Sequence, residues 1–370
     1  MGEQKSMKNL PLFFKGKKVL ITGHTGFKGG WLSQILLLWG ADITGIALKP
    51  ATQPNLFNSL KIKDRINNYF IDVRNAKKVR VVFEKHKPEI VFHLAAQPIV
   101  RESYNDPVYT FETNIIGTAN VLESIRSVSS VRSAVMITTD KVYENRETRV
   151  AYKENDRLGG HDPYSGSKAS AELVINSYLK SFFNPADHGK THNTLIASAR
   201  AGNVIGGGDW SKDRIMTDVV RSIFESNKNI PVRNPNSVRP WQHVLEPLAG
   251  YLTLARYLCE GKKEISGAWN FGPSKDSQVA VKNLLDKTIA HLGRGSYSLE
   301  TTLDRKHEAT LLRLDSSKAR LHLDWQPIFS VPDALKLTLD WYKSYYESAD
   351  MAGLTNKQIK NFFKKYENKM

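Results

Sequence analysis

A strand that runs straight into three spaced glycines constrains this chain more than any other feature. Lys18–Thr22 (KVLIT) is apolar and β-branched, and Gly23, His24, Thr25, Gly26, Phe27, Lys28 and Gly29 follow at once. Glycines at 23, 26 and 29 suit a strand–turn–helix unit. The first permits the tight turn, the second lets the backbone approach a pyrophosphate, and the third lets the helix pack close to the sheet. The N–H groups at the helix N-terminus then face that anion. Residues 23–29 are therefore expected to cradle a dinucleotide.

The rest of the chain repeats the rhythm. Ile43–Leu48, Tyr69–Val73, Ile90–Ala95, Ala134–Thr139 and Leu195–Arg200 read as further strands, most of them nearly continuous in apolar residues. Such runs suit parallel strands covered on both faces. Helical patterns lie between them at Gly29–Trp39, Ala76–His86, Val108–Val128 and Tyr164–Phe183. The alternation predicts an α/β, Rossmann-type doubly wound parallel sheet. After about Asn203 the rhythm loosens, with helical patterns at Met216–Ser226, Leu245–Cys259, Val281–Leu292 and Val331–Tyr346. This predicts a smaller C-terminal lobe over the strand ends. The expected divisions are a basic N-terminal extension at 1–17, a dinucleotide-binding domain at 18–202, a mainly substrate-binding lobe at 203–350 and a basic tail at 351–370.

With 41% hydrophobic residues in 370, disorder is excluded. Cys259 is the only cysteine, so no intramolecular disulfide can form, which suits a reducing cytoplasm. No apolar run approaches the ~20 residues that span a bilayer, and MGEQKSMKNL lacks the apolar stretch of a signal peptide. A cytoplasmic protein is expected. No HExxH or CxxC spacing occurs, so no metal is expected. The net charge of +16 fits nucleic acid, an anionic membrane or phosphorylated small molecules. Residues 1–18 and 351–370 each carry net +4, which leaves +8 for the 332 residues between. That remainder suits a cleft for nucleotide anions. The stripe Ile359, Phe362, Phe363 and Tyr366 has helical spacing and a basic opposite face. It reads as a surface docked on the body or on another subunit, or as a membrane-surface helix.

Tyr164 and Lys168 stand four apart at the start of a helical stretch and so share a face. An ammonium there is expected to lower the phenol's pKa and make it a usable base. Thr139, Asp140 and Lys141 follow the fifth strand, where side chains face the cleft. Thr139 offers a hydrogen bond to a substrate hydroxyl, and Asp140 and Lys141 an acid and a base. The second strand ends Ala47-Leu48-Lys49-Pro50 without the ribose-binding acid, so the choice between NAD and NADP stays open. Asp72 reads either as an adenine contact or as a strand-end turn residue. His243 reads as packed beside Trp241.

TGxxGxxG, Thr139 and YxxxK together resemble the extended short-chain dehydrogenase/reductases. Longer motifs narrow the resemblance: Gly23–Leu32 (GHTGFKGGWL), His93–Gln97 (HLAAQ), Thr138–Asn145 (TTDKVYEN), Gly202–Trp210 (GNVIGGGDW) and Arg239–Glu246 (RPWQHVLE). They are similar to those of nucleotide-sugar 4,6-dehydratases that act on CDP-glucose, from about Phe13 to beyond Trp325. The resemblance implies NAD at Gly23–Gly29, Asp72 and Val73 near the adenine, and Leu94, Ala95, Ala96 and Asn114 lining the cofactor cleft. It implies that Tyr164, supported by Lys168, takes the C4 hydroxyl proton of CDP-glucose while Thr139 holds that hydroxyl. Asp140 then protonates the departing C6 hydroxyl. Gln97, Asn203, Arg214, Arg239 and Arg313 are the implied substrate contacts, with His307 and Glu308 on the same stretch as Arg313. Related dTDP-glucose dehydratases carry glutamate as C5 base where this chain has Lys141, so Lys141 is either that base or a clamp on the enolate. Surface-polysaccharide deoxysugar synthesis and a homodimer or larger homo-oligomer are also implied. The alternatives are another NAD(P)-dependent epimerase, dehydratase or reductase and, remotely, a basic nucleic-acid-binding protein on the same fold.

Overall fold

The computed structural model describes residues 9–148, 150–299 and 312–369, so His307 and Glu308 lie outside the described residues. The centre is a sheet of β1 (Lys18–Thr22), β2 (Asp42–Ala47), β3 (Asn67–Phe70), β4 (Ile90–His93), β5 (Ser133–Ile137), β6 (Leu195–Ala201) and β7 (Gly267–Phe271). Their order is β7-β6-β5-β4-β1-β2-β3, and every neighbouring pair is parallel. The chain starts mid-sheet, winds to one edge through β2 and β3, then returns beside β1 and winds to the other. The reversal lies between β1 and β4, where a crevice opens at the strands' C-terminal ends.

Alternate residues of each strand feed two cores, which is why the strand sequences are continuously apolar. Leu20, Ile46, Val91, Met136 and Ile196 pack with Val79, Phe83, Val121 and Ile125 of the helices Ala76–His86 and Gly117–Arg126. On the other face Val19, Ile21, Phe92, Val135 and Ala197 pack with the helices Phe27–Leu38 and Leu245–Cys259.

Several elements differ from expectation, among them the stretch Met216–Ser226, which is a short helix Ile215–Val220 followed by a π-helical turn Arg221–Ser226. The third strand is Asn67–Phe70 rather than Tyr69–Val73, because this edge strand is half-exposed and its apolar signal is weak. The seventh strand, β7, has only five residues and was not anticipated. The stretch Val108–Val128 is not one regular helix. It comprises Pro107–Phe111, a wider π-helical turn at Glu112–Ile116, and Gly117–Arg126.

The C-terminal lobe holds the helices Ile215–Val220, Val281–Leu292 and Val331–Tyr346. Short strand pairs join them, among them Val238–Pro240 with Gln278–Ala280. Its GGGDW loop is tied to the body by Trp31 Nε1, which donates to the Gly207 carbonyl over 2.9 Å, and to its own lobe by Asp209 N, which donates to the Tyr342 hydroxyl over 2.9 Å. The last helix, Met351–Lys369, docks its apolar stripe on the main core, with Phe363 against Trp39 and Phe362 against Phe329. Lys357, Lys360 and Lys364 face solvent. Among the described residues no helix is long and apolar enough to cross a membrane.

Candidate active site

The glycine turn forms at the crevice because only hydrogen fits where its chain segments meet. Gly23 has φ +77°, and a Cβ there would lie 2.7 Å from Ala95 N. A Cβ on Gly29 would lie 2.1 Å from the Gly23 carbonyl oxygen. Gly26 is different: it is exposed, and its Cβ would meet only that carbonyl, at 3.4 Å. The face above the loop is thus open, and the N-terminus of Phe27–Leu38 has no side-chain cap to occupy its N–H groups. These residues fit a dinucleotide pyrophosphate. Thr25 Oγ1 donates to the Leu48 carbonyl over 2.9 Å. Phe27 lies against Gly206 of the second lobe. Lys28 is half-buried, and burial together with Arg214 and Lys168 pulls its pKa down to about 8 against Asp140 and Asp209. The His24 side chain is turned behind the loop, bonded to Asn68 Oδ1 at 2.6 Å and edge-on to Phe57.

Leu94, Ala95 and Ala96 follow β4 along the crevice, half-buried. Beneath them His93 is sealed in a neutral cluster. Thr118 gives its hydroxyl proton to the Asn114 carbonyl (2.7 Å), so it accepts from His93 Nε2 (3.1 Å), and His93 Nδ1 accepts from Thr22 (2.7 Å). Burial, with Lys168 adding to it, pulls the imidazole pKa down to about 3. The wide turn delivers Asn114 to the same place. Its Nδ2 donates to Ser167 Oγ at 2.8 Å and to the Gln97 carbonyl at 3.1 Å. The Gln97 side chain is spent locally, on Ile99 and Thr110. Asp72 accepts from Arg74 N, Nε and Nη2, the strand-end turn alternative, and that pairing holds its carboxyl below the usual range against the effect of burial. Val73 is buried beneath Gly117.

Opposite the glycine loop, Thr139 caps a one-turn helix at Asp140–Val142. Its hydroxyl donates to Asp140 Oδ1 over 2.9 Å. The Asp140 carboxyl is buried, which raises its pKa, while Lys141, Thr139, Lys28 and Arg239 pull against that rise. Asp140, Lys141, Asn203, Arg239, Pro240 and Leu312 line a cavity at the lobe boundary. Arg313 follows Leu312, and its carbonyl accepts from Tyr152 N. Arg214 lies 3.4 Å from Asp209 Oδ2.

Tyr164 and Lys168 are buried one turn apart on the helix Pro163–Ser181, which Asp162 caps. One expectation is corrected here. The phenol is not lowered by Lys168: burial pushes it up to about 12, with Thr139 and Arg214 the groups that oppose the rise. Lys168 Nζ instead points toward the Ile137 carbonyl at 3.4 Å, and its own pKa falls to about 8 through burial. The shared helix face does not set the direction of a long, flexible ammonium side chain. His243 is buried as expected, edge-on to Trp31 and Phe329.

The structure thus gathers Thr139, Asp140, Lys141, Tyr164, Lys168, Lys28, Asn203, Arg214 and Arg239 around one crevice. It turns the side chains of His24 and Gln97 away. Glu172 and Arg200, buried directly behind the crevice, escaped sequence reasoning, although an arginine inside an apolar strand is a readable signal.

The GDP-mannose 4,6 dehydratase family model matches residues 20–338. The chain belongs to that family. Within it, the chain is 44% identical over 350 residues to the CDP-glucose 4,6-dehydratase of Salmonella typhimurium, covering 95% of this chain and 97% of that protein. A dTDP-glucose 4,6-dehydratase of the same organism is 23% identical over 88% of this chain and 92% of its own length. Among solved structures, a dTDP-glucose 4,6-dehydratase from Streptomyces venezuelae with NAD bound superposes with a TM-score of 0.74 at 22% identity, over 90% of this chain and 99% of the other. The UDP-glucose 4-epimerase of Thermus thermophilus in complex with NAD gives 0.74 at 21% identity, over 88% and 98%. The dehydratase family and the doubly wound fold expected from the motifs are both met.

Proposed function

We propose that the protein is an NAD-dependent CDP-glucose 4,6-dehydratase, converting CDP-D-glucose to CDP-4-dehydro-6-deoxy-D-glucose and water. The observation that carries the reading is the turn of buried Thr139 and Asp140 and half-buried Lys141 facing Tyr164, in a chain so similar along its length to a CDP-glucose 4,6-dehydratase. Gly23–Gly29 would hold NAD, which when bound would supply a positive charge, accept the hydride that leaves C4 as the proton does, and give it back to C6 after water has left, with a proton returning to C5. Thr139 holds the sugar C4 hydroxyl and Tyr164 removes its proton, giving a 4-ketone. The ketone acidifies the C5 hydrogen, Lys141 takes that proton, and Asp140 protonates the departing C6 hydroxyl. Burial raises the Asp140 pKa against the pull of Lys141, Thr139, Lys28 and Arg239, the direction that favours a proton donor. Lys28, Arg214 and Arg239 give the crevice the positive charge that a sugar nucleotide diphosphate requires. A 6-deoxy-4-keto sugar is the product a deoxysugar-forming reaction would consume.

A second copy of the chain is the expected partner. Val108, Phe111, Ile116 and Leu173 are exposed on the helical segments 107–126 and 163–181, and apolar side chains grouped on neighbouring helices suit an isologous contact. Sedimentation as a dimer is expected, and a sole 41.8 kDa species would contradict it.

The reading is tested by incubation with CDP-, dTDP-, GDP- and UDP-hexoses and catalytic NAD. CDP-glucose is expected to be converted fastest, to a 4-keto-6-deoxy product without net NADH. Stoichiometric NADH would indicate a dehydrogenase instead, and a gel shift with generic DNA would revive the nucleic-acid reading.

A further inference from the structure

Behind the crevice lies a charged pair that no step of the proposed reaction uses. Glu172 sits one helical turn beyond Lys168, and Arg200 is on β6. Both side chains are 4% exposed, and Arg200 Nη2 donates to Glu172 Oε2 over 2.8 Å. All four acceptor positions of the carboxylate are filled. Oε1 takes Arg200 Nε at 2.9 Å and the Thr138 hydroxyl at 2.5 Å, and Oε2 also takes the Ser198 hydroxyl at 2.8 Å. Arg200 Nη1 reaches on to the Tyr143 hydroxyl at 2.7 Å and the Glu154 carbonyl at 3.0 Å. Tyr143 in turn donates to Asn270 Oδ1 at 2.8 Å, at the end of β7.

The arrangement costs more than an apolar one. Removing two charges from water is expensive, and a well-packed hydrophobic pair in the same place is often equally or more stable. Its connections give it a use. Thr138 directly precedes Thr139 and Asp140, and Tyr143 follows Lys141, so the pair grips the reactive turn on both sides. Glu172 is also the group that opposes the burial-driven fall of the Lys168 pKa. Besides Glu172 and Tyr164 on its own helix, Lys168 is faced by Lys28 from the helix after the glycine loop and by His93 from β4. Of these, Glu172 is the buried carboxylate.

We infer that Glu172 and Arg200 are positioning residues for the reaction proposed above, locking the Thr139–Lys141 turn to the helix that carries Tyr164 and Lys168. The inference rests on the dehydratase reading.

The test measures kcat, KM and the pH profile of kcat with CDP-glucose and NAD for the full chain and three variants, with thermal melts as a folding control. The paired variant Glu172→Leu/Arg200→Met removes both charges without stranding either. Glu172→Gln keeps the shape, and Thr138→Val, close to isosteric, cuts one grip and supplies a folded arm should the others unfold. The paired and Glu172→Gln variants are expected to lose on the order of 100-fold in kcat, the cost of misplacing reacting groups, with KM within about threefold. Their alkaline limb moves to lower pH because the carboxylate that supports Lys168 is gone. Thr138→Val is expected to lose about tenfold in kcat with its alkaline limb unmoved. Folded variants that keep kcat within about twofold and the alkaline limb of the wild type would overturn the inference and leave the dehydratase reading standing. A wild-type protein that leaves CDP-glucose unchanged would overturn both.

Discussion

The two rims of the crevice are held by different physics. The rim at β1 and β4 is a matter of shape: backbone meets backbone at Gly23 and Gly29, and the polar cluster beneath, Thr22–His93–Thr118, is neutral. The rim at β5 and β6 is a matter of charge: Asp140, Lys168, Glu172 and Arg200 are buried there, Glu172 opposing the burial-driven fall of the Lys168 pKa and Arg200 opposing the burial-driven rise of the Glu172 pKa. The first rim faces a ligand whose shape the proposed reaction leaves almost unchanged. The second must move protons, and a tight backbone fit alone cannot do that.

If this contrast is right, the largest loss of stability comes from unbalancing the charged rim. Arg200→Met leaves Glu172 buried without its cation and is expected to cost about 3–5 kcal/mol in denaturant melts. Adding Glu172→Leu should recover most of that, and a double variant less stable than the single would break the contrast. Gly29→Ala tests the shaped rim. Its methyl would sit 2.1 Å from a backbone oxygen, so about 1–3 kcal/mol of overpacking strain and weaker NAD binding are expected, read by melts and fluorescence titration.

The neutral cluster makes a pH prediction. The His93 pKa is lowered to about 3 in the fold against roughly 6.5 in the unfolded chain. Its contribution is present above the unfolded value and is lost as pH falls from there toward 3. His93→Gln should flatten the acid limb of stability by up to about 1.4 kcal/mol per pH unit in that window. An unchanged slope would place a charged histidine in the core. The smallest effect is expected at Asp72, whose bonds to Arg74 are partly exposed. Asp72→Asn should change stability by less than about 1 kcal/mol, and an appreciable loss of NAD affinity would favour the adenine-contact alternative.

What was legible in the sequence follows the same division. The strands β1, β4, β5 and β6, buried on both faces, write themselves as apolar runs, and the glycine spacing records a shape that only glycine satisfies. The edge strand β3 was placed two residues late because Asn67 and Asn68 carry no apolar signal. The π-helical turn that delivers Asn114 leaves no periodicity to read. Side-chain electrostatics was the least visible. The spacing of Tyr164 and Lys168 gave their proximity, but the phenol's upward shift comes from burial in the folded chain, which no local pattern reports. Glu172 and Arg200 are 28 residues apart and meet only through strand order.

In the proposed dehydration the hydrogen leaving C4 returns to C6 of the same sugar. CDP-glucose deuterated at C4, turned over with catalytic unlabelled NAD in protonated water, tests it directly by NMR of the product. Deuterium is expected at C6 of a 4-keto-6-deoxy sugar, with hydrogen from solvent at C5. Deuterium retained at C4, or accumulated in free NADH, would contradict it.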